Sequence, residues 1–174
     1  SLYVTGTDTG IGKTLASCTL LHALRAHGLR AVWMKPVASG CERIGSAWKN
    51  ADALALRAAG ELGIAYADIN PFALEHPLAP ELAAREAGVE VALEPILAAH
   101  ARLAQQADAL IVEGVGGWAA PLSASLMLSD LVRPPPRPAV LPVGPRLRCL
   151  SQVLLWARAI AADGLHLAGW IASH

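Results

Sequence analysis

Gly6-Thr7-Asp8-Thr9-Gly10-Ile11-Gly12-Lys13-Thr14 decides the fold. The stretch lies between a short apolar run at 2–5 and a long apolar segment at 12–27, the pattern of a buried strand feeding a helix through a glycine-rich turn. Glycine lacks a Cβ, so the backbone N–H groups around Gly10, Ile11 and Gly12 can turn inward toward phosphate oxygens. The helix start adds positive potential at the same place. Lys13 is set to reach the β and γ phosphates of a nucleotide, and Thr14 to offer its hydroxyl to Mg²⁺. Five residues separate Gly6 from Gly12, one more than in the commonest phosphate loop. A bare glycine turn would also join strand to helix, but it has no use for Gly-Lys-Thr at the helix start.

Working outward, Gly28 supplies a helix stop, and 30–34 reads as a second strand ending at Lys35-Pro36, where proline forbids further pairing. That is a βαβ unit. Segments 51–59 and 81–87 read as helices, with turns at Asn70-Pro71 and His76-Pro77. Leu93, Ile96, Leu97, His100 and Ala104 predict one apolar face of a helix over 93–107, followed by a strand at 109–113. A further strand is expected at 139–143, entered from the stiff proline run 134–138. Leu150, Val153, Leu154, Ala157 and Ala161 predict another amphipathic helix, with a strand at 165–171 after Gly164. Strands alternating with helices predict an α/β fold of the P-loop NTPase type: one domain over 1–174, with a largely parallel sheet and helices on both faces. Ligands bind such sheets at the carboxyl ends of the strands, where Gly6, Lys35, Glu113 and Gly144 are all expected.

The 174 residues are 54% apolar, enough for a sizeable core, and 14 Lys plus Arg balance 14 Asp plus Glu. No net field draws the chain to nucleic acid or to an acidic membrane surface, so small-molecule chemistry is favoured. Cys18, Cys41 and Cys149 are far apart and form no CxxC pair, which argues against a disulfide framework and a zinc site and for the reducing cytoplasm. The first apolar stretch runs straight into the glycine loop, which predicts neither a signal peptide nor a membrane span.

Three other constellations carry chemistry. Lys35, in Lys35-Pro36-Val37-Ala38-Ser39-Gly40, is either a surface lysine before a proline turn or the second cation of a positive pocket. Asp52 reads as a first-turn acid of a helix and, with Thr14 and Glu113, as part of a hard oxygen shell for Mg²⁺. Glu113 ends a buried strand and is followed by Gly114, Val115, Gly116 and Gly117, whose glycines let a ligand approach the backbone closely. His100 reads as a packed core-edge residue and Cys149 as an inert thiol, unless a helix N-terminus activates it.

Taken in order, Gly-Thr-Asp-Thr-Gly-Ile-Gly-Lys-Thr, Lys-Pro-Val-Ala-Ser-Gly, Asn-Ala-Asp-Ala and Val-Glu-Gly-Val-Gly-Gly-Trp closely resemble the dethiobiotin synthetase family. Asn70-Pro71, Ala79-Pro80, Pro142-Val143-Gly144 and Ala168-Gly169-Trp170 extend the match over essentially the whole chain. The resemblance implies ATP-dependent ring closure of 7,8-diaminopelargonate with CO₂ to dethiobiotin, ADP and phosphate. It implies that Thr9, Lys13 and Lys35 are catalytic, that Thr9, Lys35 and Ser39 hold a carbamate, and that Gly116 and Gly117 flank the diamine. It implies nucleotide contacts from Gly10 through Thr14, from Asp52 and Glu113, and from Gly114, Val115, Gly116 and Ser173. It also implies a homodimer, in which the loop 146–151 carries Arg148, Leu150 and Ser151 toward the substrate carboxylate; a solvent-facing Arg148 is the alternative. Val115 stands where the family usually has Ala, Glu81 where it has His, and Ser173 where an Asn reads adenine. The family continues for some tens of residues beyond this point, so the chain is expected to lack its C-terminal part.

Three rival readings share the phosphate loop. A partition-type ATPase carries a second lysine near the loop start, where Thr7 and Asp8 stand here, and a cobyrinate-type enzyme needs a following glutaminase domain. A non-catalytic nucleotide-binding module has no physical need for two metal carboxylates, whereas Lys13, Thr14, Lys35, Asp52 and Glu113 are all present here.

Overall fold

In the computed structural model the described residues are 1–59, 63–133, 136–144, 146–147 and 149–172. In chain order they form β1 (Leu2–Val4), α1 (Lys13–Ala26), β2 (Ala31–Met34), β3 (Val37–Ala38), β4 (Glu42–Ile44), β5 (Ala47–Lys49), α2 (Ala51–Ala59) and α3 (Tyr66–Ile69). Then follow β6 (Phe72–Ala73), α4 (Pro80–Glu86), α5 (Leu93–Gln106), β7 (Ala109–Glu113), a 3-10 turn (Leu128–Leu131), β8 (Ala139–Val143), α6 (Cys149–Ala162) and β9 (Leu167–Ala172). The central sheet runs β2-β7-β1-β8-β9 with every pairing parallel. Successive strand residues point to opposite faces, and every residue of β2 and of β8 is buried. Both faces of the sheet are therefore covered there, as expected of a parallel sheet between helices.

The helix stops follow from glycine. Gly28, Gly88 and Gly164 all adopt positive φ, between 64° and 80°. After each, the chain donates back to the last turn: Leu29 to Leu24, Val89 to Ala84 and Leu165 to Ile160. These left-handed caps satisfy carbonyls that a helix end would otherwise leave without partners. The third cap holds Leu165 back from the sheet, so the last strand begins at Leu167 rather than at 165 as expected.

Two helix faces differ from the sequence reading. In α5 the buried stripe is Ile96, Ala99 and Leu103, and Ala104 is exposed. The expected face was rotated by about one residue, because alanine sits on several sides of this helix and weakens the periodic signal. In α6 the buried residue is Ile160, flanked by half-buried Val153 and Trp156, whereas Leu150 and Leu154 face outward. Apolar residues surround α6, so only tertiary packing chooses its inner face.

Trp118 anchors the core beside the sheet, its ring edge-on to Tyr3 at 5.9 Å and its indole N–H donating to Asp163 Oδ2 at 2.7 Å. Asp163 also receives Arg133. At the opposite end of the sheet from the glycine loop, His100 Nε2 lies 3.0 Å from Ser1 Oγ. Burial, with Arg137 adding to it, pushes this imidazole down to about 4, so it is neutral at pH 7, in keeping with a packed residue.

Candidate functional site

The loop between β1 and α1 is shaped by Gly10 and Gly12, both left-handed at φ 68° and 87°. Gly12 caps α1 without any side-chain hydrogen bond, and the first turn of α1 carries no acid. The first N–H groups of the helix and its positive end therefore remain available to an anion. Gly6 is required by the stem of Lys13, which folds over it. A Cβ at position 6 would stand 2.6 Å from Ile11 Cδ1 and 2.9 Å from Lys13 Cγ. The Lys13 ammonium donates to the carbonyl of Asp8 at 2.6 Å, which turns it toward the mouth of the loop. Burial lowers its pKa, Glu113 opposes that shift and Lys35 reinforces it.

Because the sheet is parallel, the carboxyl ends of β1, β2, β7 and β8 meet at one rim. Lys35 follows β2 and is 5% exposed, so the sequence alternative of a surface lysine does not hold. Its ammonium donates to Asp52 Oδ2 at 2.7 Å and to Glu113 Oε1 at 3.0 Å. Burial alone would lower the Lys35 pKa, but the charge of Glu113 and the hydrogen bond donated to Asp52 outweigh it, and the ammonium is held above its ordinary value. It is protonated throughout the neutral range. Glu113 is fully buried; its Oε1 also accepts from the Thr14 hydroxyl at 3.0 Å, while its Oε2 has no partner among the described residues. A buried carboxylate oxygen without a donor is costly unless a ligand completes it.

These groups surround a cavity of ≈ 340 Å³. Thr9, Ser39 and Asn50 line it together with the phosphate loop, Lys35 and the two carboxylates, as do Gly114, Val115 and Gly116. Asn50 was not singled out from the sequence; it caps α2 by accepting from the N–H of Ala53 at 3.2 Å. Other expected site residues stand elsewhere. Ile11 is buried beneath the loop against Gly6 and Gly144, so only its backbone can face a ligand. Gly117 lies against Trp156, where a Cβ would come within 2.8 Å of the indole, and it does not line the cavity. Leu150 and Ser151 occupy the exposed first turn of α6, outside the cavity, rather than a loop. Arg148 and Ser173 lie outside the described residues.

Residues 1–174 match the family described as AAA domain. The chain is 62% identical over 173 residues to the ATP-dependent dethiobiotin synthetase BioD of Xanthomonas oryzae pv. oryzae (strain PXO99A), covering 99% of this chain and 77% of that protein. This chain belongs to the dethiobiotin synthetase family. Among solved structures, the kinase domain of the Escherichia coli tyrosine kinase ETK is similar in fold, with a TM-score of 0.55 at 16% identity, covering 99% of this chain and 66% of that one. The ParA family ATPase of Chlorobium tepidum TLS reaches the same TM-score of 0.55 at 11% identity, over 98% of this chain and 72% of that one. Both likenesses concern the fold alone. Membership of the dethiobiotin synthetase family, by contrast, rests on 62% sequence identity over nearly the whole chain.

Proposed function

We propose that this chain is a cyclo-ligase that joins 7,8-diaminopelargonate and CO₂ to give dethiobiotin, with ATP converted to ADP and phosphate, in biotin biosynthesis. The observation that carries this reading is the buried Lys35, held by Asp52 and Glu113 at the mouth of the phosphate loop in a chain 62% identical to an ATP-dependent dethiobiotin synthetase. A pure nucleotide-binding module has no reason to bury a second cation there.

The residues fit Mg²⁺. Thr14, Asp52 and Glu113 offer hard oxygens, and the unpartnered Oε2 of Glu113 gives a ligand atom already desolvated. Among the described residues no cluster of three or more His, Cys, Asp or Glu could hold a metal. A site with two carboxylates and a hydroxyl suits an ion that keeps its waters and shares the phosphates of its nucleotide. When bound, Mg²⁺ would offset charge on the β and γ phosphoryl oxygens.

The chain's own groups then have distinct tasks. Gly10, Gly12 and the start of α1 hold the phosphates through backbone N–H groups, with Lys13 released from Asp8 to the β and γ oxygens. One substrate amine adds to CO₂ and loses a proton, giving a carbamate that Lys35 holds as an anion with Thr9 and Ser39 at its oxygens. The carbamate oxygen takes the γ-phosphoryl group and ADP leaves; the second amine attacks the resulting mixed anhydride, phosphate leaves and the ring closes. Positioning and fixed charge supply most of the acceleration in such a transfer. Gly116 lets the diamine approach the wall of the site, and Gly117 serves the packing of α6 that holds that wall in place.

Residues 1–174 act as one ATP-binding domain. In a homodimer, the exposed Leu147, Leu150, Leu154 and Leu155 would be covered, and the first turn of α6, with Leu150 and Ser151, would reach a neighbouring site. Sedimentation equilibrium of the purified protein reads this directly: a species of twice the chain mass is expected, and a monomer at micromolar concentration contradicts it. Cys18, Cys41 and Cys149 are free thiols, as suits catalysis in the reducing cytoplasm. No described helix is long and apolar enough to cross a membrane. The reaction itself is tested with ¹³C-bicarbonate: mass spectrometry is expected to find the label in the ring carbonyl of dethiobiotin. Unlabelled product, or none, counts against the proposal.

A further inference from the structure

Glu113 and Lys35 are tied to one another by the sheet. Their strands β7 and β2 are hydrogen-bonded neighbours, with Val112 opposite Met34. Asp52 has no such tie, because it stands in the first turn of α2, which follows the hairpin β4-β5 in the chain, with its side chain 48% exposed. Nevertheless its carboxylate lies 2.7 Å from the Lys35 ammonium.

A relay of hydrogen bonds fixes the start of α2 to the end of β2. The backbone N–H of Asn50 donates to the Tyr66 hydroxyl at 2.7 Å, and that hydroxyl donates to Asn70 Oδ1 at 3.1 Å. The Asn70 amide nitrogen donates to the carbonyl of Lys35 at 2.7 Å and to that of Phe72 at 3.3 Å. Only this orientation of the Asn70 amide serves both carbonyls and the phenol together. Asn50 passes the constraint into α2 by accepting from the N–H groups of Ala53 and Leu54. The path therefore closes on itself: Lys35 backbone, Asn70, Tyr66, Asn50, Asp52 and back to the Lys35 ammonium. Asn50 and Asn70 are buried, and the Lys49 ammonium lies 5.8 Å from the centre of the Tyr66 ring, which helps hold that ring in place. Neither Tyr66 nor Asn70 lines the cavity.

We infer that Tyr66 and Asn70 are positioning residues for the divalent-cation site, setting the place of Asp52 relative to Glu113 through the backbone of Asn50 and Lys35. The inference rests on the proposed cation site, and it adds residues that touch neither cation nor substrate. Two carboxylates on separate elements can share one ion only if their separation is fixed, and outer partners of this kind govern metal affinity.

Tyr66→Phe keeps the ring and its contact with Lys49 and removes only the hydroxyl. With Mn²⁺ as the probe, titrated into the protein–ADP complex and followed by electron paramagnetic resonance, the Mn²⁺ Kd is expected to rise roughly 10-fold. ADP affinity measured in EDTA is expected to be unchanged. Asp163→Asn, which weakens the Trp118 anchor away from the relay, is expected to lower the thermal midpoint without moving the Mn²⁺ Kd. A Tyr66→Phe Kd within twofold of wild type, or an equal rise in Asp163→Asn, overturns the inference and leaves the cation site standing. A wild-type protein that binds no Mn²⁺ with ADP overturns the site and the inference with it.

Discussion

Lys13→Ala is expected to remove turnover, by roughly 10³-fold or more, while leaving the fold intact. The size follows from the loss of a fixed cation from transferring phosphoryl oxygens, the largest single contribution in this class of reaction. The fold is spared because the Lys13 ammonium is desolvated and has a neutral carbonyl, that of Asp8, as its hydrogen-bond partner. Burial already lowers its pKa, so the charged form is tolerated rather than stabilising. The thermal midpoint is therefore expected to stay within about 2 °C of wild type, a change under roughly 1 kcal/mol for a domain of this size. Steady-state kinetics and differential scanning calorimetry check the two halves separately. A mutant with near-normal rate contradicts the phosphate-loop role.

Lys35→Met is expected to cost both activity and stability. Lys35 is charged because Glu113 and Asp52 outweigh its burial, so its removal leaves Glu113 fully buried with the Thr14 hydroxyl as its one donor among the described residues. Breaking a buried pair from one side costs about 3–5 kcal/mol, which corresponds to a fall of roughly 10 °C in thermal midpoint. The sign with pH is fixed: a lysine whose folded pKa is raised contributes stability that is fully present at neutral pH and is lost only as pH rises through the raised value. The deficit of the mutant is therefore expected to be constant from pH 6 to 9 and to shrink at higher pH. Turnover is expected to fall by roughly 10²–10³-fold, the usual consequence of removing one donor from a developing or bound anion. A Lys35→Met protein as stable as Lys13→Ala contradicts the pairing described for the rim.

The contrast between the two lysines was only half legible in the sequence. Lys13 declares itself through Gly-Lys-Thr at a helix start, because the motif and the chemistry are local. Lys35 before Pro36 reads equally as a surface residue; only the pairing of β2 with β7 shows that it is buried and that Glu113 is its partner. The buried strands at 109–113 and 139–143 could be bounded exactly, since each is a short apolar run closed by glycine or a charge. The hairpin β4-β5 gave no such signal, because Glu42 and Arg43 interrupt any apolar alternation. The inner face of α6 was hidden for the opposite reason, apolar residues on every side. Tyr66 and Asn70 carry no chemical motif of their own, and their link to Lys35 exists only where the fold returns β6 beside β3.

The central claim is tested most directly by ADP release from the purified protein with Mg-ATP and bicarbonate, with and without 7,8-diaminopelargonate, and with Lys13→Ala as the blank. The account predicts ADP release that requires the diamine and matches the dethiobiotin formed one for one. Nucleotide binding without any diamine-dependent ADP would contradict it and would describe a nucleotide-binding module instead.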